Sequence, residues 1–262
     1  VPPVHAYYYT DPACAWSWSI EPLMRRLDVE FDGQLEFRYV MAGIREIPPA
    51  AEEARDWLEA SAASGMPVDV RLWLEGGPTT SYPACMAVKA AAEQDQTGRY
   101  LRALREGFAF RRRRLDHAEA FESVARELGG LDLDRFRIDL GSHAIMEAFG
   151  EDLERGRAVD PRHQATGRGR VKVPSLELHG GGGVQGVYGP QPYEAYRDAA
   201  VAAGATPADG PRPSVEEALR RFGTMAVAEV AAVCDLPGPR APAELWRLAG
   251  EWKARPEPSV GG

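Results

Sequence analysis

The chain has 262 residues, of which 39 are Asp or Glu and 31 are Lys or Arg, for a net charge of −8. That sign excludes the global electrostatic footprint of a nucleic-acid binder and disfavours an anionic lipid surface. With 44% hydrophobic residues the chain can bury a full core, and its length suits one large domain with an insertion or appendage.

The first apolar and aromatic run, residues 5–9, reads as a buried strand bounded by Pro3 and by Asp11-Pro12. Apolar residues then recur at helical spacing over residues 16–31: Ile20, Leu23, Met24, Leu27 and Phe31. Residues 35–40 alternate as a second strand, so the opening is a βαβ unit with parallel pairing. From about residue 50 to 157 the signal is helical. Segments 51–63, 83–94, 97–110, 117–128, 133–140 and 142–157 are punctuated by Gly129-Gly130 and Gly141. Ser81 stands where a helix cap is expected, with Pro83 in the first turn. Strand signals return at 175–179 and 184–188, joined by Gly180–Gly183 as a hairpin turn. Residues 192–203 close the domain as a helix.

Residues 204–213 are rich in Gly, Pro and Ala and read as a linker. Beyond it, residues 214–222, 226–234 and 243–252 carry three short helical patterns, and the end of the chain is expected to be disordered. The tail resembles a degenerate helix-turn-helix in outline. Residues 211–258 hold seven Lys/Arg and seven Asp/Glu, so the segment lacks the charge that drives phosphate binding. The expected organisation is therefore a main domain over 1–203, a linker over 204–213 and a small helical appendage over 214–262.

No apolar run nears the roughly 18 residues that span a bilayer. The segment Val1-Pro2-Pro3-Val4 shows no basic region or apolar signal core. Three cysteines, Cys14, Cys85 and Cys234, are too few for a disulfide scaffold and favour a reducing, cytoplasmic setting. The histidines show no ligand spacing, so no metal site is expected.

The segment most informative about chemistry is Tyr9-Thr10-Asp11-Pro12-Ala13-Cys14-Ala15-Trp16-Ser17-Trp18. It places a cysteine after a strand and at a helix start. Unpaired N–H groups and the positive end of the helix dipole stabilise a thiolate there, which predicts a Cys14 pKa below that of a free thiol. Ser17 lies one turn on and can offer its hydroxyl to the sulfur. Cys85 and Cys234 read as packed thiols. Arg111-Arg112-Arg113-Arg114 reads as a solvated face. Val173-Pro174 precedes a strand, an ordinary place for proline.

Asp11-Pro12-x-Cys14-x-Trp16-Ser17-Trp18, a helical insertion and then Val173-Pro174 before a strand together resemble the DsbA-like branch of the thioredoxin superfamily. Ser81-Tyr82-Pro83-Ala84 followed by Ala87-Val88-Lys89-Ala90-Ala91 is similar to a helix start in its cytosolic bacterial members. The resemblance covers about residues 4–203. It implies an α/β, thioredoxin-like fold with an all-helical insertion. By matching position it makes Cys14 the attacking cysteine and Pro174 a cis proline, with Trp16, Val173 and Pro174 shaping the substrate groove. Ser17 stands where that family's second, resolving cysteine belongs. The resemblance therefore implies monothiol disulfide chemistry on a protein or small disulfide substrate. No cofactor is tightly bound, and a low-molecular-weight thiol resolves the mixed disulfide. Two rival readings come with it. One is a non-enzymatic adaptor or redox-sensing binding protein on the same scaffold. The other is a glutathione-type isomerase or transferase. Neither the substrate nor the oligomeric state is written in the sequence, and no nucleic-acid or membrane partner is expected.

Overall fold

The computed structural model describes residues 3–259. Val1, Pro2 and the last three residues, on which the readings of the N-terminus and of a disordered end partly fall, lie outside the described residues.

Strand β1 (Val4–Thr10) leads through α1 (Ala15–Ser19) and α2 (Glu21–Glu30) to β2 (Leu35–Met41). β1 and β2 pair in parallel, from Val4 opposite Leu35 to Thr10 opposite Met41. The helix expected over residues 16–31 is two helices broken at Ile20. Pro22 stands at the start of α2. It has no N–H with which to continue the ladder back to Trp18, so the first helix stops after five residues.

The insertion contains α3 (Ala50–Ser64), α4 (Arg71–Leu74), α5 (Tyr82–Ala92), α6 (Thr97–Ala109), α7 (Ala118–Leu128), α8 (Leu133–Leu140) and α9 (His143–Ala158). α4 went unread because four residues show no period. Trp18, Trp57, Tyr100, Phe108, Phe121 and Phe136 are buried in the insertion's core. Trp18 thereby anchors α1 to the insertion, and its Nε1–H donates to the Pro67 carbonyl at 3.0 Å. Ser81 is not the cap expected of it. It precedes α5 but makes no capping hydrogen bond, because its hydroxyl is engaged by Asp11.

β3 (Ser175–Gly180) and β4 (Gly183–Tyr188) form an antiparallel hairpin, and α10 (Tyr193–Ala202) follows. β3 pairs antiparallel with β1, so the sheet order is β2-β1-β3-β4. This is a mixed α/β, thioredoxin-like fold with a helical insertion. A second core, including Tyr8, Leu27, Phe31, Leu176 and Tyr196, packs the sheet against α2 and α10.

Residues 204–213 carry no helix or strand, yet they are pinned. Thr206 N–H donates to Gln34 Oε1 at 3.0 Å, Ala208 N–H to the Glu30 carbonyl at 2.8 Å, and Arg212 pairs with Glu30. Helices α11 (Val215–Phe222), α12 (Val227–Val233) and α13 (Arg240–Gly250) share a core of Val215, Val230, Val233 and Leu248. Val29 of α2 packs against that core. Glu229 of α12 is fully buried and meets Arg25 of α2 at 3.2 Å and Arg102 of α6 at 2.7 Å. Three helices too short to be stable singly are held by one another and by the main body.

Candidate thiol site at the start of the first helix

Asp11 shapes the turn that delivers Cys14. It is fully buried. Oδ1 accepts the Ala13 N–H at 2.8 Å. Oδ2 accepts the Ile44 N–H at 3.0 Å and the Ser81 hydroxyl at 2.6 Å. The Cys85 thiol donates to the same oxygen at 3.5 Å. One carboxylate thus ties the β1 exit to the segment after β2 and to the start of α5. Cys14 follows in extended conformation (φ −90°, ψ 117°) and caps α1, its Sγ accepting the Ser17 N–H at 3.4 Å.

The sulfur is largely sealed, with Cys14 only 7% exposed. Burial pushes its thiol above the ordinary value and the Asp11 carboxylate adds to that. The Ser17 hydroxyl, the Ser17 N–H and Arg170 pull the other way without offsetting it. The depressed pKa expected from the sequence is therefore corrected. A five-residue helix supplies little dipole, and a dehydrated sulfur beside a buried carboxylate disfavours the thiolate. Cys85 is raised further, by burial and then by Asp11. Asp11 itself is raised by burial, against the hydrogen bonds from Ser81 and Ala13. Glu53 of α3 adds a further buried carboxyl, pushed up to about 7 by burial. Its Oε1 accepts the Trp57 Nε1–H at 2.8 Å.

Ser17 lies fully buried, and its hydroxyl completes no hydrogen bond although it is close enough to the sulfur to lower the thiol pKa. Trp16 is half-buried against the insertion core. The Val173–Pro174 peptide is cis. Pairing of Tyr9 with Ser175 sets Pro174 beside the C-terminal end of β1, from which the Cys14 turn departs. Val173 packs instead in a small cluster with Tyr9, Val40, Ala42 and Val171. Cys14, Cys85 and Cys234 are all unpaired. Among the described residues no group of three or more His, Cys, Asp or Glu could hold a metal, and no helix is long and apolar enough to cross a membrane.

Sequence reasoning missed Asp11, Ser81, Cys85 and Glu53 as neighbours of this site. Asp11 stood inside the informative segment, and only its contact with Ser81, 70 residues on, shows its role.

The pattern of the thioredoxin family matches residues 7–160. A ClpXP adapter protein, SpxH, from Halalkalibacterium halodurans is 29% identical over 264 residues, covering 94% of this chain and 83% of that protein. Its counterpart from Shouchella clausii is 28% identical, covering 98% and 86%. Among solved structures, the cytosolic disulfide reductase DsbM from Pseudomonas aeruginosa superposes with a TM-score of 0.59 at 20% identity, over 75% of this chain and 98% of that one. The same reductase with GSH superposes with a TM-score of 0.58. With more than half its length matched, a mixed four-stranded sheet and a helical insertion, the chain belongs to the thioredoxin family and carries the DsbA-like form of its fold.

Proposed function

We propose that this protein is a cytoplasmic adaptor that presents other proteins to an ATP-dependent protease, with the thioredoxin scaffold serving as a binding body. One observation carries this reading. Similarity to the adapter from Shouchella clausii spans 98% of the chain and so takes in the C-terminal helices, whereas the reductase covers 75%. Those helices are built into the main body through the buried Glu229. The thiol site supports the same reading. Cys14 is sealed and raised in pKa, and Ser17 occupies the place of a resolving thiol. Three unpaired cysteines suit a reducing compartment. The partner is a protein; the acidic charge offers no basis for nucleic acid.

A second reading is monothiol disulfide chemistry. The Ser17 N–H at 3.4 Å from the Cys14 sulfur and the adjoining Ser17 hydroxyl favour it. Cys14 would attack a disulfide sulfur, release one thiolate and remain as a mixed disulfide until a low-molecular-weight thiol resolved it. Trp16 and Pro174 would shape the docking groove, with Val173 packed behind in its own cluster.

A reconstituted ClpXP reaction separates the two. Proteins retained by the immobilised chain from an extract of its source cells serve as clients. Faster degradation of a client with both the parent and Cys14→Ser is the expected result. No acceleration by either, together with reduction of a small disulfide that Cys14→Ser abolishes, would replace the adaptor by the thiol enzyme.

A further inference from the structure

A cavity of about 770 Å³ lies between the β1–β2 face of the sheet, α2, α6 and the C-terminal helices. Cys14 does not line it. Its aromatic lining includes Tyr8, Phe37 and Tyr39, with the Tyr8 and Tyr39 rings 6.0 Å apart. Phe222 and Thr224 bring the C-terminal module to the same cavity.

The hydrogen-bonding capacity left unused here is donor capacity. Tyr8 is 2% exposed and its hydroxyl has no partner. Thr10 stands close enough to lower the Tyr8 pKa, and its Oγ1 accepts from the Arg105 guanidinium. Arg105 is 1% exposed and its Nε–H is also unpartnered. Leaving such groups dry and unpaired costs free energy that a ligand oxygen can restore. Arg25, Arg102, Arg105, Arg220 and Arg221 each meet a carboxylate. Arg99 meets only neutral oxygens, Gln96 Oε1 at 2.7 Å and the Leu128 carbonyl at 3.4 Å. Among the described residues that line the cavity it is the arginine without a carboxylate partner, at an exposed position on the wall.

We propose that this cavity is a binding site for a small organic oxyanion, a carboxylate or phosphate ester with a ring-sized apolar body. The body packs on Phe37 and Tyr39, and the oxygens accept from Tyr8 and Arg99. Because Arg221, Phe222 and Thr224 form one wall, the bound ligand tightens the docking of the C-terminal module.

The test is calorimetric titration of the full chain with benzoate, phenyl phosphate and neutral benzyl alcohol. Saturable binding of at least one anion, and none of benzyl alcohol, is expected. The tighter of the two identifies the carboxylate or the phosphate source. Tyr8→Phe and Arg99→Gln should each weaken binding about tenfold, the effect of one hydrogen bond or charge contact to an ionised ligand. Tyr39→Phe, at another residue that lines the cavity, is an independent second variant. Ligand should slow amide exchange in residues 215–224. Failure of both anions to bind, equal binding of benzyl alcohol, or anion binding unchanged in all three variants would overturn the site. In the first case the unpaired donors are met by water alone.

Discussion

Cys14 sits where a thioredoxin-type nucleophile is expected and lacks the electrostatics of one. The groups that favour its thiolate are the Ser17 N–H and hydroxyl and the charge of Arg170. Burial and the Asp11 carboxylate outweigh them. A raised thiol pKa means less thiolate at any given pH below it. Iodoacetamide alkylation across pH should show a midpoint above the roughly 8.5 of a free thiol. Asp11→Asn removes a negative neighbour and should lower that midpoint, whereas Ser17→Ala removes a stabilising hydroxyl and should raise it. A parent midpoint below the free-thiol value would show that the sulfur is activated after all. The sequence shows which residue types stand at positions 11, 14 and 17. It does not show how dry the sulfur is, because that depends on how the folded chain packs around it.

At the scale of elements, the hairpin turn is the clearest case of a feature legible in sequence whose reason is tertiary. Gly180 and Gly183 close the β3–β4 pair. A turn needs only some of those glycines. Gly180 and Gly182 answer to the end of α10, where a Cβ at Gly180 would stand 2.2 Å from the Ala203 carbonyl oxygen. Gly182 N–H donates to the Ala203 carbonyl at 3.0 Å, and a Cβ at Gly182 would stand 2.0 Å from the Ala202 carbonyl oxygen. A Cβ at Gly181 would meet nothing within 4 Å. Gly182→Ala should therefore destabilise the protein by about 2 kcal/mol through overpacking, while Gly181→Ala should be close to neutral. Urea unfolding of the two variants checks this, and equal midpoints would show that the loop gives way freely. The break at Ile20 teaches the converse. Apolar spacing over residues 16–31 is continuous, and only the missing N–H of Pro22 divides the helix.

The C-terminal module is joined to the main body by an ion network that composition cannot reveal. Glu229 receives Arg102 through two contacts, at 2.7 and 3.0 Å, and Arg25 at 3.2 Å. Arg102 also meets Glu106 at 2.9 Å and Glu21 at 3.2 Å. Glu229→Ala would leave Arg25 and Arg102 short of countercharge in a dry interface, a loss of about 3 kcal/mol. Amide exchange should rise across residues 215–250 while the sheet stays protected. A loss no larger than that of an exposed pair, such as Glu122 with Arg137 at 2.8 Å, would mean that the module docks by apolar packing alone. The even charge of the tail, read from sequence as an argument against DNA binding, has a structural use here. One of its carboxylates is spent inside the protein.

Local pattern determined much of this protein by itself. Strand alternation, helical spacing and turn residues located most elements to within a few residues, since those signals depend on neighbours in the chain. The strand–Cys14–helix junction was legible for the same reason. Only the tertiary structure decided that Cys14 is sealed and that Ser81 serves Asp11 rather than its own helix. It alone joined Glu229 to Arg25 and Arg102 and placed Tyr8 at the cavity between the sheet and the C-terminal module. Each of these depends on groups far apart in sequence brought into a dehydrated contact. There the energy of a charge or a hydrogen bond is set by what surrounds it, and no local period records that.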